Sequence, residues 1–242
     1  MRDNSLFKKG IEELGITLSE NQFNAFEVFY DMLVEKNKVM NLTGITEYEE
    51  VLVKHFLDSL SVVKAKSAKE ILLREAAVLD VGTGAGFPGV PLKIAFPQIN
   101  ITLMDSLNKR INFLNEVISS LKLTGICALH ARCEEFARKE EFREKYELCV
   151  SRAVAKINSL SELCLPFVKV GGYFVPYKSG NIDEELLEGK NAISKLGGRS
   201  LDVVRFNVPC SDNERSLIVI KKESPTPKAY PRAGGKVLSK PL

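Results

Sequence analysis

Ala77-Val78-Leu79-Asp80-Val81, then Gly82-Thr83-Gly84-Ala85-Gly86-Phe87-Pro88-Gly89, then Val90-Pro91-Leu92-Lys93-Ile94-Ala95-Phe96, is the stretch on which the reading of this chain turns. An apolar run, a turn with four glycines in eight residues and a second apolar run spell strand, glycine-rich turn and helix. Glycines there let the backbone take positive φ and let a ligand approach with no Cβ in the way. The N–H groups of the helix start then face whatever rests on the turn, which suits a nucleoside-bearing cofactor. The plainer alternative is a tight connection and nothing more, but three alternating glycines exceed what a turn requires.

Downstream, the same alternation repeats. Strands are predicted over Ile99 to Met104 (ending at Asp105), Ile126 to His130, Tyr146 to Val150 (ending at Ser151-Arg152) and Tyr173 to Tyr177. Helices are expected between them, around 110–121, 134–142 and 158–168, with Gly171-Gly172 as the turn before the fifth strand. Such alternation implies a parallel sheet covered on both faces, with ligands at the carboxyl ends of its strands. After a helix over about 183–196, Leu201 to Val208 and Ser216 to Lys221 are separated by only seven residues, too few for a crossover helix. They should pair antiparallel, closing a seven-stranded, mostly parallel sheet.

Upstream, residues 1–66 read as a helical extension. Ser19 is a candidate N-cap, followed by Phe23, Phe26, Tyr30, Leu33 and Val34 at helical spacing, a stripe that must pack on something. Asn41-Leu42-Thr43-Gly44 makes a polar turn. In the next helical region His55, Asp58 and Ser59 stand at i, i+3 and i+4, so one face could hold all three. Spacing alone leaves a structural polar cluster and a pocket rim equally open, and a nucleophilic triad does not follow, because the exposed elbow and oxyanion donors are missing.

With 242 residues, 45% apolar and 27% charged, the chain has the makeup of a globular domain with an appendage. We divide it into the extension (1–66), the main domain (67–222) and a tail (223–242). No run reaches the roughly 18 apolar residues of a membrane span, and the start lacks the apolar core of a signal peptide, so a cytoplasmic monomer is expected. Five cysteines, without C-x-x-C spacing, argue against a disulfide framework and a zinc site. From Lys221 to the end, six basic residues face Glu223 alone, a local +5 against an overall +3. That tail points either to a polyanionic partner or to a merely solvated end.

Two cofactors compete for the glycine turn. Gly84-x-Gly86-x-x-Gly89 matches the dinucleotide fingerprint, a weak signal by itself. Against a dinucleotide stand the tighter frame Gly82-x-Gly84-x-Gly86, the lack of an N–H at Pro88 where a pyrophosphate would sit, and the absence of a second parallel half. S-adenosylmethionine has no pyrophosphate to lose. Asp105, 25 residues after Asp80, stands where a carboxylate accepts from ribose hydroxyls, and Cys133-Glu134, just past the third strand, where the adenine edge would lie.

Asp80 to Lys93, Asp105 to Arg110, Ser151-Arg152-Ala153-Val154, Tyr230 to Gly235 and Lys240-Pro241-Leu242 closely resemble the bacterial small-subunit ribosomal RNA guanine-N7 methyltransferases, the RsmG or glucose-inhibited division protein B family. The Asn41 turn and the His55-x-x-Asp58-Ser59 helix resemble that family's N-terminal signatures. The resemblance implies a Rossmann-like fold dependent on S-adenosylmethionine, and methylation of one guanine of 16S rRNA, as RNA or in the 30S subunit. It implies cofactor contacts at Gly82, Phe87, Cys133, Glu134 and Arg152; the loop and strand-end reading adds Gly84, Gly86 and Asp105, and makes Arg152, at the end of the fourth strand, the expected orienting group for the base or the cofactor carboxylate. Asn41, His55, Lys178, Tyr230 and Arg232 become the candidate RNA contacts. Cys133 departs from the family's alanine, and Ala229, Ala233 and Lys236-Val237 depart in the tail. Guanine N7 bears a lone pair and no proton, so no general base is needed; no Asn/Asp-Pro-Pro-aromatic segment of the kind used on exocyclic amines is present.

Overall fold

The computed structural model describes residues 2–233 and 235–242. Seven strands, β1 (Ala77–Val81), β2 (Asn100–Asp105), β3 (Ile126–His130), β4 (Tyr146–Arg152), β5 (Val168–Ser179), β6 (Gly198–Asn207) and β7 (Glu214–Lys222), form one sheet. Their order is β3-β2-β1-β4-β5-β7-β6, and β7 runs antiparallel to both of its neighbours. The chain leaves β1 toward β2 and β3 on one side and returns through β4 and β5 on the other, so its direction of winding reverses between β1 and β4. Ligands in such sheets bind at that reversal, beyond the carboxyl ends. Val81 pairs with Met104 and Asp80 with Val150, so Gly82, Asp105 and Arg152 all emerge at that edge.

The N-terminal helices share the core of the sheet. Ser19 caps the helix Glu20–Met40 through a capping box with Gln22, whose side chain reaches on to cap the helix Gly89–Ala95 at Ile94 O (2.7 Å). Behind that contact Phe7, Phe26, Phe29 and Phe56 are all buried, and Phe29 meets Phe87 of the glycine loop at 5.4 Å between centroids. Burying rings of this size is worth about 1.5–3 kcal/mol each. Of the predicted stripe, Phe26, Tyr30 and Leu33 are buried, but the ring that braces the loop from behind is Phe29, on the same helix and outside that stripe.

Three elements differ from expectation. Gly171-Gly172 is not a turn before β5 but lies inside it, where the register against β4 shifts between Tyr146 and Leu148. A Cβ on Gly172 would stand 2.7 Å from Glu147 O, so the glycine permits a close strand approach. The helix expected over 134–142 is one turn, Cys133–Phe136, because Arg143 bonds Ala137 O (2.9 Å) and tail carbonyls instead of extending it. Finally, the helix carrying His55 widens to a π-turn over Leu52–Leu57.

Candidate functional site

The glycine loop is held from below by Asp80. Its carboxylate is fully buried; Oδ2 accepts from Thr83 Oγ1 (2.6 Å) and Gly89 N (2.8 Å), while Oδ1 has no partner among the described residues. Burial pushes this carboxyl up to about 7, against the opposing pull of those hydrogen bonds and of Arg152. Gly89 is where the backbone must pass closely: a Cβ would lie 2.2 Å from Leu103 Cδ2 and 2.8 Å from Asp80 Oδ2. Gly84 serves another purpose. Its φ is +61° and a Cβ there would have nothing within 4 Å, so it faces open space.

Asp105, at the end of β2, accepts from Gly84 N (3.0 Å), Leu107 N (2.9 Å) and Arg110 (3.1 Å). A carboxylate offers about four acceptor directions, so capacity remains for a hydroxyl. Around it opens a cavity of about 370 Å³ lined by Gly82, Asp105, Arg110, Cys133, Glu134 and Val154, among others. Its lining mixes apolar residues such as Val81, Met104 and Leu163 with the polar Asp105, Arg110 and Glu134, and its size suits a small ligand. An orphaned carboxylate oxygen beneath the loop, a glycine open to space and a strand-end carboxylate with spare acceptor capacity fit an adenosyl group carrying an amino acid.

A second cavity, about 630 Å³, meets the first at Ala153 and Val154 and is lined by His55, Asp58, Arg152, Tyr177, Lys178 and Arg215 among others. Arg152 organises it. It donates to Asp58 Oδ2 (2.8 Å), Lys54 O (3.2 Å) and His55 Nδ1 (3.3 Å), with Cζ 5.1 Å from the Phe87 centroid. Asp58 is only 1% exposed and takes a second guanidinium, Arg215 Nε, at 2.9 Å on Oδ1. Because guanidinium only donates, His55 Nδ1 is an acceptor, so Nε2 carries the proton and donates to Thr43 Oγ1 (2.7 Å). Burial, aided by the Arg152 charge, lowers His55 to about 3. Its ring stacks on Phe87 at 4.5 Å, and Ala153 beside it holds a left-handed φ of +58°.

Gly82, Asp105, Cys133 and Glu134 thus line the smaller cavity, and His55, Arg152 and Lys178 the larger one. Phe87 is buried under His55, so only its backbone is available to a ligand, and Gly86, also buried, packs where a Cβ would meet Val90 and Leu114. Asn41 is exposed and ends its helix at a left-handed φ of +48°. Ser59 turns away, its hydroxyl bonding His55 O (2.5 Å). Lys178 is engaged by Ala155 O (2.7 Å) and Glu185. Tyr230 is half-buried in the tail, and Arg232 is clamped on the buried Glu162 at 2.7 Å. Sequence reading passed over Arg215, which only the pairing of Ser179 with Arg215 across β5 and β7 brings here. It also passed over Tyr177, whose hydroxyl bonds Ser59 O (2.5 Å), and Asp80, whose place at the end of the apolar run was the available signal.

The family model described as GidB, rRNA small subunit methyltransferase G, matches residues 22–218. A protein of Lachnoclostridium phytofermentans named ribosomal RNA small subunit methyltransferase G is 59% identical over 242 residues, covering 100% of this chain and 98% of its own length. Its namesake in Desulforamulus reducens is 52% identical over 97% of this chain and 96% of its own. Among solved structures, a 16S rRNA (adenine(1408)-N(1))-methyltransferase from Catenulisporales acidiphilia superimposes with a TM-score of 0.53 at 13% identity, covering 68% of this chain and 93% of that one. That last likeness concerns the fold, a methyltransferase sheet of Rossmann type. On the family match across most of its length and on relatives sharing more than half its residues, this chain belongs to the rRNA small subunit methyltransferase G family.

Proposed function

We propose that this methyltransferase acts, as a cytoplasmic monomer, on N7 of a guanine in 16S rRNA, free or within the small ribosomal subunit. The observation that carries the proposal is the junction at Ala153 and Val154, which the two cavities share in their lining, with Arg152 standing next in the chain on the side of the larger one. His55, the imidazole at that junction, has both nitrogens committed and stays neutral well below pH 7.

S-adenosylmethionine is the cofactor expected of this family, and when bound it supplies an electrophilic methyl group. Gly82, Gly84, Asp105, Cys133 and Glu134 would hold its nucleoside, with Asp105 accepting from ribose hydroxyls. An N7 lone pair needs no deprotonation before it attacks. The residues at the junction then act by position: Arg152, held by Asp58 and His55, orients the base, and the 152–154 turn sets the approach. Placing reacting atoms about 3–3.5 Å apart and in line is worth up to roughly 7–11 kcal/mol of barrier. In duplex RNA N7 lies in a groove too deep and narrow for side chains, so an unpaired or extruded guanine is the substrate. Lys178, Arg232 and His55, engaged internally, serve as positioning residues, whereas Asn41 and Tyr230 remain proposed RNA contacts.

The test is methyl transfer from labelled S-adenosylmethionine to 16S rRNA and to small subunits from a strain lacking this gene. Digestion should yield labelled 7-methylguanosine. Label on another atom or nucleoside would overturn the proposal.

A further inference from the structure

The tail is pinned to the body at several of its described residues, beginning at the end of β7. The Lys222 ammonium, fully buried, donates to Leu165 O (2.7 Å) and Thr226 Oγ1 (2.6 Å) and pairs with Glu144 at 3.2 Å. Arg143 donates to Thr226 O (2.7 Å) and Tyr230 O (3.0 Å), and Arg138 to Pro231 O (2.6 Å). Arg232 then grips Glu162, a fully buried carboxylate on the helix Ile157–Cys164, through Nε (3.0 Å), a terminal nitrogen (2.7 Å) and its backbone N–H (2.7 Å). A buried carboxylate met by a forked guanidinium and a backbone donor is a rigid fixture.

Past it, Val237 is fully buried and its carbonyl accepts from Ser159 Oγ (2.9 Å) on the same helix. Leu238 comes next. It is 59% exposed, yet it lines the smaller cavity together with Asp105, Cys133 and Leu163. An anchored neighbour below and a bare apolar side chain at a cavity mouth are what a flat, mostly apolar ligand face needs to lose its last contact with water.

We infer that the C-terminal segment is the outer wall of the cofactor cavity, with Leu238 packing on the nucleoside of S-adenosylmethionine and the Arg232–Glu162 pair fixing that wall in place. This rests on the cofactor reading given above and reassigns the tail: Arg232, with Arg138 and Arg143 of the main domain, holds it onto the body, and its apolar tip meets the ligand. The chain end is then part of the binding site and not an appendage to it.

Calorimetry with S-adenosylhomocysteine tests this on the full chain. Leu238→Ala and Leu238→Asp change an exposed side chain, so their unliganded melting temperatures should match that of the parent. Their Kd should rise about tenfold or more, roughly the effect of one lost apolar side-chain contact, and more for the aspartate. Arg232→Gln should raise KM for the cofactor while kcat at saturation changes little, with Arg232→Lys restoring part of the loss. Rise in Kd without change in affinity for 16S rRNA supports the inference. A parent that binds alongside Leu238 variants that bind equally well overturns it and leaves the cofactor reading standing. A parent that binds no S-adenosylhomocysteine at all overturns both.

Discussion

Replacing Arg152 by alanine takes from Asp58 the guanidinium that reaches Oδ2 at 2.8 Å and leaves Arg215, 2.9 Å from Oδ1, as its counter-ion. Asp58 is 1% exposed, and its Oδ2 would keep only the long bond from Arg215 at 3.4 Å. Breaking a buried ion pair costs about 3–5 kcal/mol when the carboxylate is left bare. With Arg215 still in place, and Arg152 itself 14% exposed, about 2–3 kcal/mol is the reasonable share. For a chain of this length that is roughly 5–10 °C in Tm. Asp58→Asn alone should cost a similar amount by leaving two guanidinium groups on one neutral amide. The double variant removes both charges of the pair, so its penalty should fall short of the sum by about 1.5–3 kcal/mol. Urea denaturation of the parent, both single variants and the double variant closes the cycle. Methyl transfer should fall about a hundredfold in Arg152→Ala, the scale of a small misplacement of the reacting base, and Arg152→Lys should not restore it, because an ammonium cannot fork to Asp58 and His55 together. Additivity within about 0.5 kcal/mol would refute the coupling on which the orienting role depends.

Gly84→Ala and Gly89→Ala should separate binding from folding: the first, at a φ of +61° in open space, costs about 1–2 kcal/mol of stability but most of the cofactor affinity. The second, whose Cβ would stand 2.2 Å from Leu103, should unfold the loop and lower Tm far more; equal losses of Tm in both would contradict this division. His55, lowered to about 3 in the fold, takes up a proton only when unfolded, so stability present above pH 6.5 is lost as pH falls toward 3. At pH 5 that loss is about 2 kcal/mol. The raised carboxyl of Asp80 works in the opposite sense between about pH 4 and 7, so the readout is the difference between parent and His55→Gln, whose acid-side slope should be shallower; identical slopes would sink the assignment. Ala153→Gly relieves a left-handed φ of +58° and should raise the unfolding free energy by about 1 kcal/mol, while lowering kcat; a variant less stable than its parent would show that no strain is held there.

The strand, glycine turn and helix from Ala77 to Phe96 were legible because period, turn chemistry and length all agree there. The same holds for the strand ends at Asp105 and Arg152 and for the antiparallel closure, which follows from a connection too short for a helix. Arg215 was out of reach because it joins Asp58 across 157 positions, through a strand pairing that no local pattern announces. Arg232 read as a free cation for the parallel reason, its counter-ion Glu162 lying 70 residues away. Net charge records how many cations a segment has and not which of them are already neutralised. Gly171-Gly172 gave the signature of a turn, but a glycine pair also serves a bulge inside a strand, and only the register against β4 separates the two. His55, Asp58 and Ser59 were placed on one face by a 3.6-residue period; the π-turn over Leu52–Leu57 shifts that period, and Ser59 points back to its own helix.

Single-turnover methyl transfer at saturating cofactor and rRNA, followed from pH 6 to 8.5, bears most directly on the chemistry at the Arg152 junction. N7 attack with no proton to remove requires a rate that stays level across that range. A rate climbing tenfold per pH unit would mean that a proton must leave before the methyl moves, and would turn the site toward N1 or an exocyclic amine.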